Sequence, residues 1–130
     1  MKSGSRLPAK YNMAEVNRGD IWLVNLDPTI GHEIKKSRPA VIIQNDLGNR
    51  YSPITIIAPI TSQNTEKIYP IEVLLIKRSS GLEKDSKILL NQIRAIDKRR
   101  LIKKLGKVDY GTMVKIDNSI KISLGLVEIK

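Results

Sequence analysis

The sequence predicts a mainly β domain closed by a C-terminal helix: a small, strongly bent antiparallel sheet or barrel. Three observations carry this. Short apolar, β-branched runs recur between turn signals from Gly19 to Val108. The spacing then changes after Asp109, where Met113, Ile116, Ile120 and Leu124 recur at three and four residues. Finally, 130 residues suit one domain.

Residues 1–17 are polar and aperiodic, and are read as a flexible extension before a domain over 18–130. Met13 is an alternative start; an intact mass of the native protein beginning at Met1 would remove that idea. Order begins at Gly19. Ile21 to Leu26 is apolar nearly throughout, as a strand covered on both faces would be. Asp27-Pro28-Thr29 is a turn signal. Pro39 drives Arg38 into an extended conformation and opens the strand Ala40–Gln44. Residues 45–49 form a loop or short helical turn. Ile54–Thr61 is a strand marked by Pro59 as an edge or bulge, and residues 62–69 are a polar loop. Ile71–Ile76 is a strand ended by Ser79-Ser80-Gly81. Lys87–Ile96 reads as one long strand, Asp97–Arg100 as a helical turn and Leu101–Val108 as the last strand. Asp109 is placed to cap the helix.

Composition narrows the function. There is no cysteine and a single histidine, which removes disulfides, thiolate chemistry, Cys-based zinc sites and His clusters. The absence of cysteine fits the cytoplasm. No apolar run reaches the roughly 18 residues that span a bilayer, and the N-terminus has no apolar core of a secretory signal. Lys and Arg outnumber Asp and Glu by 23 to 13, a net charge of +10. From Lys84 to Lys107 nine basic residues face only Asp85 and Asp97. Such a surplus favours a polyanion, nucleic acid or an acidic protein segment, and equally describes a solubilising face. One Trp, four Tyr and no Phe leave little for an aromatic stacking platform.

The charged loop GHEIKKSR (31–38) runs straight into a buried strand. Arg38, stiffened by Pro39, can grip a phosphate in two-pronged fashion and stabilise charge developing on it. A surface ion pair with Glu33 explains it as well. Thr61 ends a strand, where its hydroxyl could meet a phosphate oxygen. His32 is of the type that serves as general acid or base. Asn91, Gln92 and Arg94, with Asn45 and Asn49, suit base-edge recognition in single-stranded RNA. Phosphate-binding Walker loops, the GxGxxG fingerprint and paired acids for two-metal chemistry are absent from the sequence.

Six separated blocks carry a resemblance: Arg18-Gly19-Asp20-Ile21-Trp22, Asp27–Glu33, Arg38–Ile43, Gln44-Asn45-Asp46, Pro59–Ser62 and Gln92–Asp97. In order and spacing they resemble the MazF/PemK/Kid toxins, over roughly residues 16–128, with NDLGNRYSP (45–53) closest to the chromosomal MazF branch of Gram-positive bacteria. The resemblance implies an SH3-like barrel, shared with the gyrase poison CcdB. It further implies a homodimeric, sequence-specific, metal-independent endoribonuclease with no cofactor, cutting single-stranded mRNA to a cyclic phosphate and a 5′-hydroxyl. Arg38 and Thr61 would carry catalysis, with His32 auxiliary. Glu33, Lys35, Lys36, Asn45, Asn49, Asn91, Gln92 and Arg94 would contact RNA. The partner would be a MazE-like antitoxin with an acidic tail. The Kid branch's late-strand Arg and Asp are Leu89 and Asn91 here, which cannot replace them. Two alternatives stay open: a gyrase-poison-like protein, disfavoured because the chain lacks a terminal Trp-Gly-Ile, and a non-catalytic basic RNA-binding barrel.

Overall fold

The computed structural model describes residues 15–33 and 36–128, so most of the expected N-terminal extension, Met13 and Lys35 lie outside the described residues. Elements follow in the order β1 (Asp20–Asn25), β2 (Ser37–Ile42), α1 (Asp46–Tyr51), β3 (Ile54–Thr61), β4 (Glu72–Leu75), α2 (Lys77–Ser80), β5 (Ser86–Leu89), β6 (Arg94–Asp97), β7 (Leu101–Lys107) and α3 (Tyr110–Ser123). Single 3₁₀ turns lie at Leu90–Gln92 and Lys98–Arg100. The sheet runs β4-β5-β3-β2-β1-β7, with β6 also paired to β3. Every pairing is antiparallel. This is the predicted bent sheet closed by a helix.

Alternation along β1 explains its continuous apolar character, because both faces are covered. Ile21 pairs with Val41, and these join Ala58, Ile60 and Ile88 beneath Ile116 of α3. Trp22 pairs with Ala40, and these pack on the other face with Val24, Ile42, Ile57 and Ile96. Each fully buried aliphatic contributes about 1.5–3 kcal/mol before conformational entropy is counted. Val16 is already buried against the second cluster, so packing starts three residues before Gly19. Two register shifts between β1 and β7 bend the sheet toward closure.

The expected single strand over Lys87–Ile96 is instead two. β5 pairs with the C-terminal end of β3, and β6 with its N-terminal end. Between the pairs Ile60↔Ile88 and Ile57↔Arg94, β3 moves three residues while its partner moves six. The surplus loops out as the Leu90–Gln92 turn. Pro59 stands on β3 where the partner changes, a break in the ladder that tolerates its missing N–H.

At the C-terminus, the Asp109 side chain accepts from Thr112 N at 2.7 Å and caps α3. Ile116 is fully buried, with Met113 and Ile120 packed beside it. Leu124 departs from the expected stripe. It is the residue after the helix and 54% exposed, because Gly125 at φ 75° turns the chain away and Leu126 N bonds back to Lys121 O. The buried polar position of that face is Ser119, whose hydroxyl donates to Pro70 O. No helix among the described residues is long and apolar enough to cross a membrane.

Candidate active site

The side-chain alternation that splits the core also sorts the candidate residues. Arg38 pairs with Val24 near the start of β2, half-buried, and shares the face of Ala40 and Ile42. Ala40 pairs with Pro59 on β3, and that register runs toward Thr61, the last residue of the strand. Arg38 and Thr61 therefore stand on one face, at adjoining ends of neighbouring strands. Thr61 is only 8% exposed, and its Oγ1 accepts from Gln63 N at 3.1 Å. A hydroxyl that accepts there still has its own proton to donate.

Pro59 also borders a cleft of about 710 Å³. One wall is the loop bearing His32 and Glu33; the other is Asn91, Gln92 and Arg94. The β5–β6 break thus builds a site wall, since it lifts Asn91 and Gln92 out of the sheet. A second cleft of about 360 Å³ lies against Arg38, Ser62, Lys84 and Ser86. Basic side chains border both spaces.

Several candidates have structural duties. The Glu33 carboxylate accepts from Ile30 N at 2.6 Å and staples its own loop. Lys36 is exposed with φ 67°, and its N–H donates to the Asp27 carboxylate at 3.0 Å. Arg94 donates from Nη1 to Leu26 O at 3.1 Å, which leaves other guanidinium protons toward the cleft. Asn45 caps α1 through Oδ1, accepting from Gly48 N at 2.7 Å, at the far end of β2 from Arg38.

Asn49 is not a surface residue. It is 3% exposed, and its amide donates to Gln44 O and accepts from Gln44 Nε2 and from the Thr55 hydroxyl at 2.7 Å. Its carbonyl accepts from the buried Lys98 ammonium, whose pKa burial pushes below the ordinary lysine value. The amide expected to contact RNA thus has its hydrogen bonds answered within the protein.

Two residues near the site escaped the sequence reading. Lys87 pairs with Thr61 in register, yet is buried and spent on Glu72 at 2.9 Å and on Lys67 O. Arg100 donates from Nη1 to the carbonyls of Asn25 and Asp27. A lysine in an apolar run carried a faint signal of pairing, whereas Arg100 was lost among its basic neighbours. Among the described residues no group of three or more His, Cys, Asp or Glu converges as metal ligands would.

Residues 17–124 match the family model described as PemK-like, MazF-like toxin of type II toxin–antitoxin system. Endoribonuclease EndoA of Bacillus subtilis (strain 168) is 44% identical over 113 residues, spanning 87% of this chain and 97% of that protein. Endoribonuclease MazF of Staphylococcus epidermidis is 47% identical over 111 residues, 85% and 92% of the two chains. The crystal structure of MazF from Deinococcus radiodurans superposes with a TM-score of 0.72 at 25% identity, covering 84% of this chain and 96% of that one. The face shared by Arg38 and Thr61, the barrel beneath it and these likenesses agree: the chain belongs to the PemK-like, MazF-like toxins of type II toxin–antitoxin systems.

Proposed function

We propose that this chain is the toxin of such a pair and acts as a metal-independent endoribonuclease on single-stranded mRNA. The observation that carries the site assignment is the common face of Arg38 and Thr61 at adjoining strand ends. The ribose 2′-oxygen attacks the adjacent phosphorus; a P–O bond forms and the P–O5′ bond breaks. The 2′-hydroxyl proton leaves as attack proceeds, and a proton reaches the departing 5′-oxygen. Products are a cyclic phosphate and a 5′-hydroxyl. Arg38 stabilises the charge on the phosphate and assists proton movement, and Thr61 binds a phosphate oxygen. His32, on the cleft wall, is auxiliary. Asn91, Gln92 and Arg94 face the bases from the opposite wall, and Lys36, with Lys35, serves the flanking backbone.

The protein works in the cytoplasm as a homodimer. Its partner is a MazE-like antitoxin whose acidic tail suits a surface of net charge +10. The test is incubation of a long single-stranded RNA in EDTA with wild type and Arg38→Ala, with ends mapped by primer extension. Discrete cuts that vanish in the variant are expected. Intact RNA that is nevertheless bound would favour a non-catalytic RNA-binding barrel.

A further inference from the structure

The wall that carries His32 and Glu33 leaves the barrel at the end of β1 and returns at the start of β2. Its stem is closed by Leu26 N donating to Lys36 O at 3.1 Å and by Lys36 N donating to the Asp27 carboxylate at 3.0 Å. Three successive backbone carbonyls of this stem point at guanidinium groups. Asn25 O accepts from Arg100 Nη1 at 3.1 Å, Leu26 O from Arg94 Nη1 at 3.1 Å, and Asp27 O again from Arg100 Nη1. Arg94 opens β6 and Arg100 ends the 3₁₀ turn that follows it. Both therefore belong to the segment that continues the opposite wall of the cleft, and Arg94 itself borders the cleft. Among the described residues of the loop, Ile30 and Glu33 bond to each other.

We propose that Arg100, acting with Arg94, is a positioning residue: it ties one cleft wall to the other through the Asn25–Asp27 carbonyls and so sets the width of the space in which RNA bases are accepted. The inference rests on the endoribonuclease reading for its substrate, but the clamp is a property of the protein alone. The chemistry favours arginine. A guanidinium presents five donors in a fixed plane and stays charged at any working pH. One nitrogen reaching two carbonyls separated by a single residue holds the backbone without a side-chain partner. A phosphate contact would leave such a group pointing outward; here it points into the stem.

The test compares wild type, Arg100→Ala and Arg100→Lys in two readouts. Amide hydrogen exchange on the RNA-free protein follows Leu26 and Lys36. Cleavage of a long mixed-sequence RNA in EDTA gives KM, kcat and the set of sequences cut. Arg100→Ala is expected to speed exchange at both amides by about tenfold, as loss of hydrogen bonds to a charged donor implies. It should also raise KM and widen the set of cut sequences while the melting temperature stays close to wild type. Arg100→Lys, which keeps a charged donor but not the planar fork, should restore the narrow set only in part. Unchanged exchange in Arg100→Ala, with weaker cleavage and a shallower salt dependence, would make Arg100 a phosphate contact and overturn the proposal. A lowered melting temperature with an unchanged set of cuts would reduce it to a plain fold contact, and also overturn it. If wild type leaves RNA intact, the endoribonuclease reading fails, and the exchange comparison still decides the clamp.

Discussion

The two ends of the β2–β3 pair carry the same kinds of polar side chain and use them in opposite ways. At one end Gln44, Asn49, Thr55 and Lys98 close on one another, so that nearly every donor and acceptor is answered inside the protein. At the other end Arg38 borders one cleft, Pro59 of the strand that ends in Thr61 borders another, and Asn91 and Gln92 are raised above the sheet by a turn. Residue type does not distinguish a recognition group from a structural one. What differs is where such groups stand: enclosed among one another in the interior, or lining a cleft open to a ligand.

The contrast is most exposed at Arg38. Arg38→Ala should cost about 10²–10³ in RNA cleavage, by analogy with losing a transition-state donor, and leave the melting temperature nearly unchanged. A variant that cleaves like wild type would remove the rim from the chemistry. Asn49→Ala should do the reverse. It leaves the buried Thr55 hydroxyl without its acceptor and removes the hydrogen bonds to Gln44, at a cost of about 2–3 kcal/mol in a denaturant titration. Cleavage per folded molecule should be preserved; a selective loss of cleavage would mean that the closed end reads RNA after all. His32→Ala sharpens the picture within the rim. Cleavage kinetics should fall by less than in Arg38→Ala, and equal losses would promote His32 from auxiliary to essential.

The smallest effect lies away from both ends. The Asp109 carboxyl is held below the ordinary carboxylate value, chiefly by its hydrogen bond from the Thr112 backbone. A depressed folded value means that its stabilisation is complete above the unfolded pKa and is lost as pH falls through the folded one. Asp109→Asn retains a capping oxygen and should flatten the acid limb of stability against pH, with neutral stability almost unaltered. An acid limb identical to wild type would assign the pH dependence elsewhere.

Much of the frame was legible because it rests on local patterns. The apolar run of β1, the β-rich 54–61 stretch and the Asp109-capped stripe each state their element without outside help. Arg38 and Thr61 were legible as types, and their meeting on one face follows from a register that no local pattern displays. The Lys87–Ile96 stretch misled because Leu90 is fully buried within its turn, so the apolar spacing continues while the backbone leaves the sheet. The burial of Asn49 was not legible because NDLGN has the composition of an open loop; only the approach of Gln44, Thr55 and Lys98 turns it inward. Leu124 failed for a simpler reason: the helix stops one residue before it.

β7 closes one side of the sheet with Lys103, Lys104 and Lys107 exposed along it. An outer strand offers unpaired peptide groups to any other strand, including one from another copy of the chain. The ammonium groups of Lys103 and Lys107, beside Lys104 that pairs with Asp20, make such stacking repulsive. The same kind of charge that suits a polyanionic partner thus also disfavours strand-to-strand self-association along this edge. Neutralising those lysines to sharpen selectivity for RNA would trade away solubility.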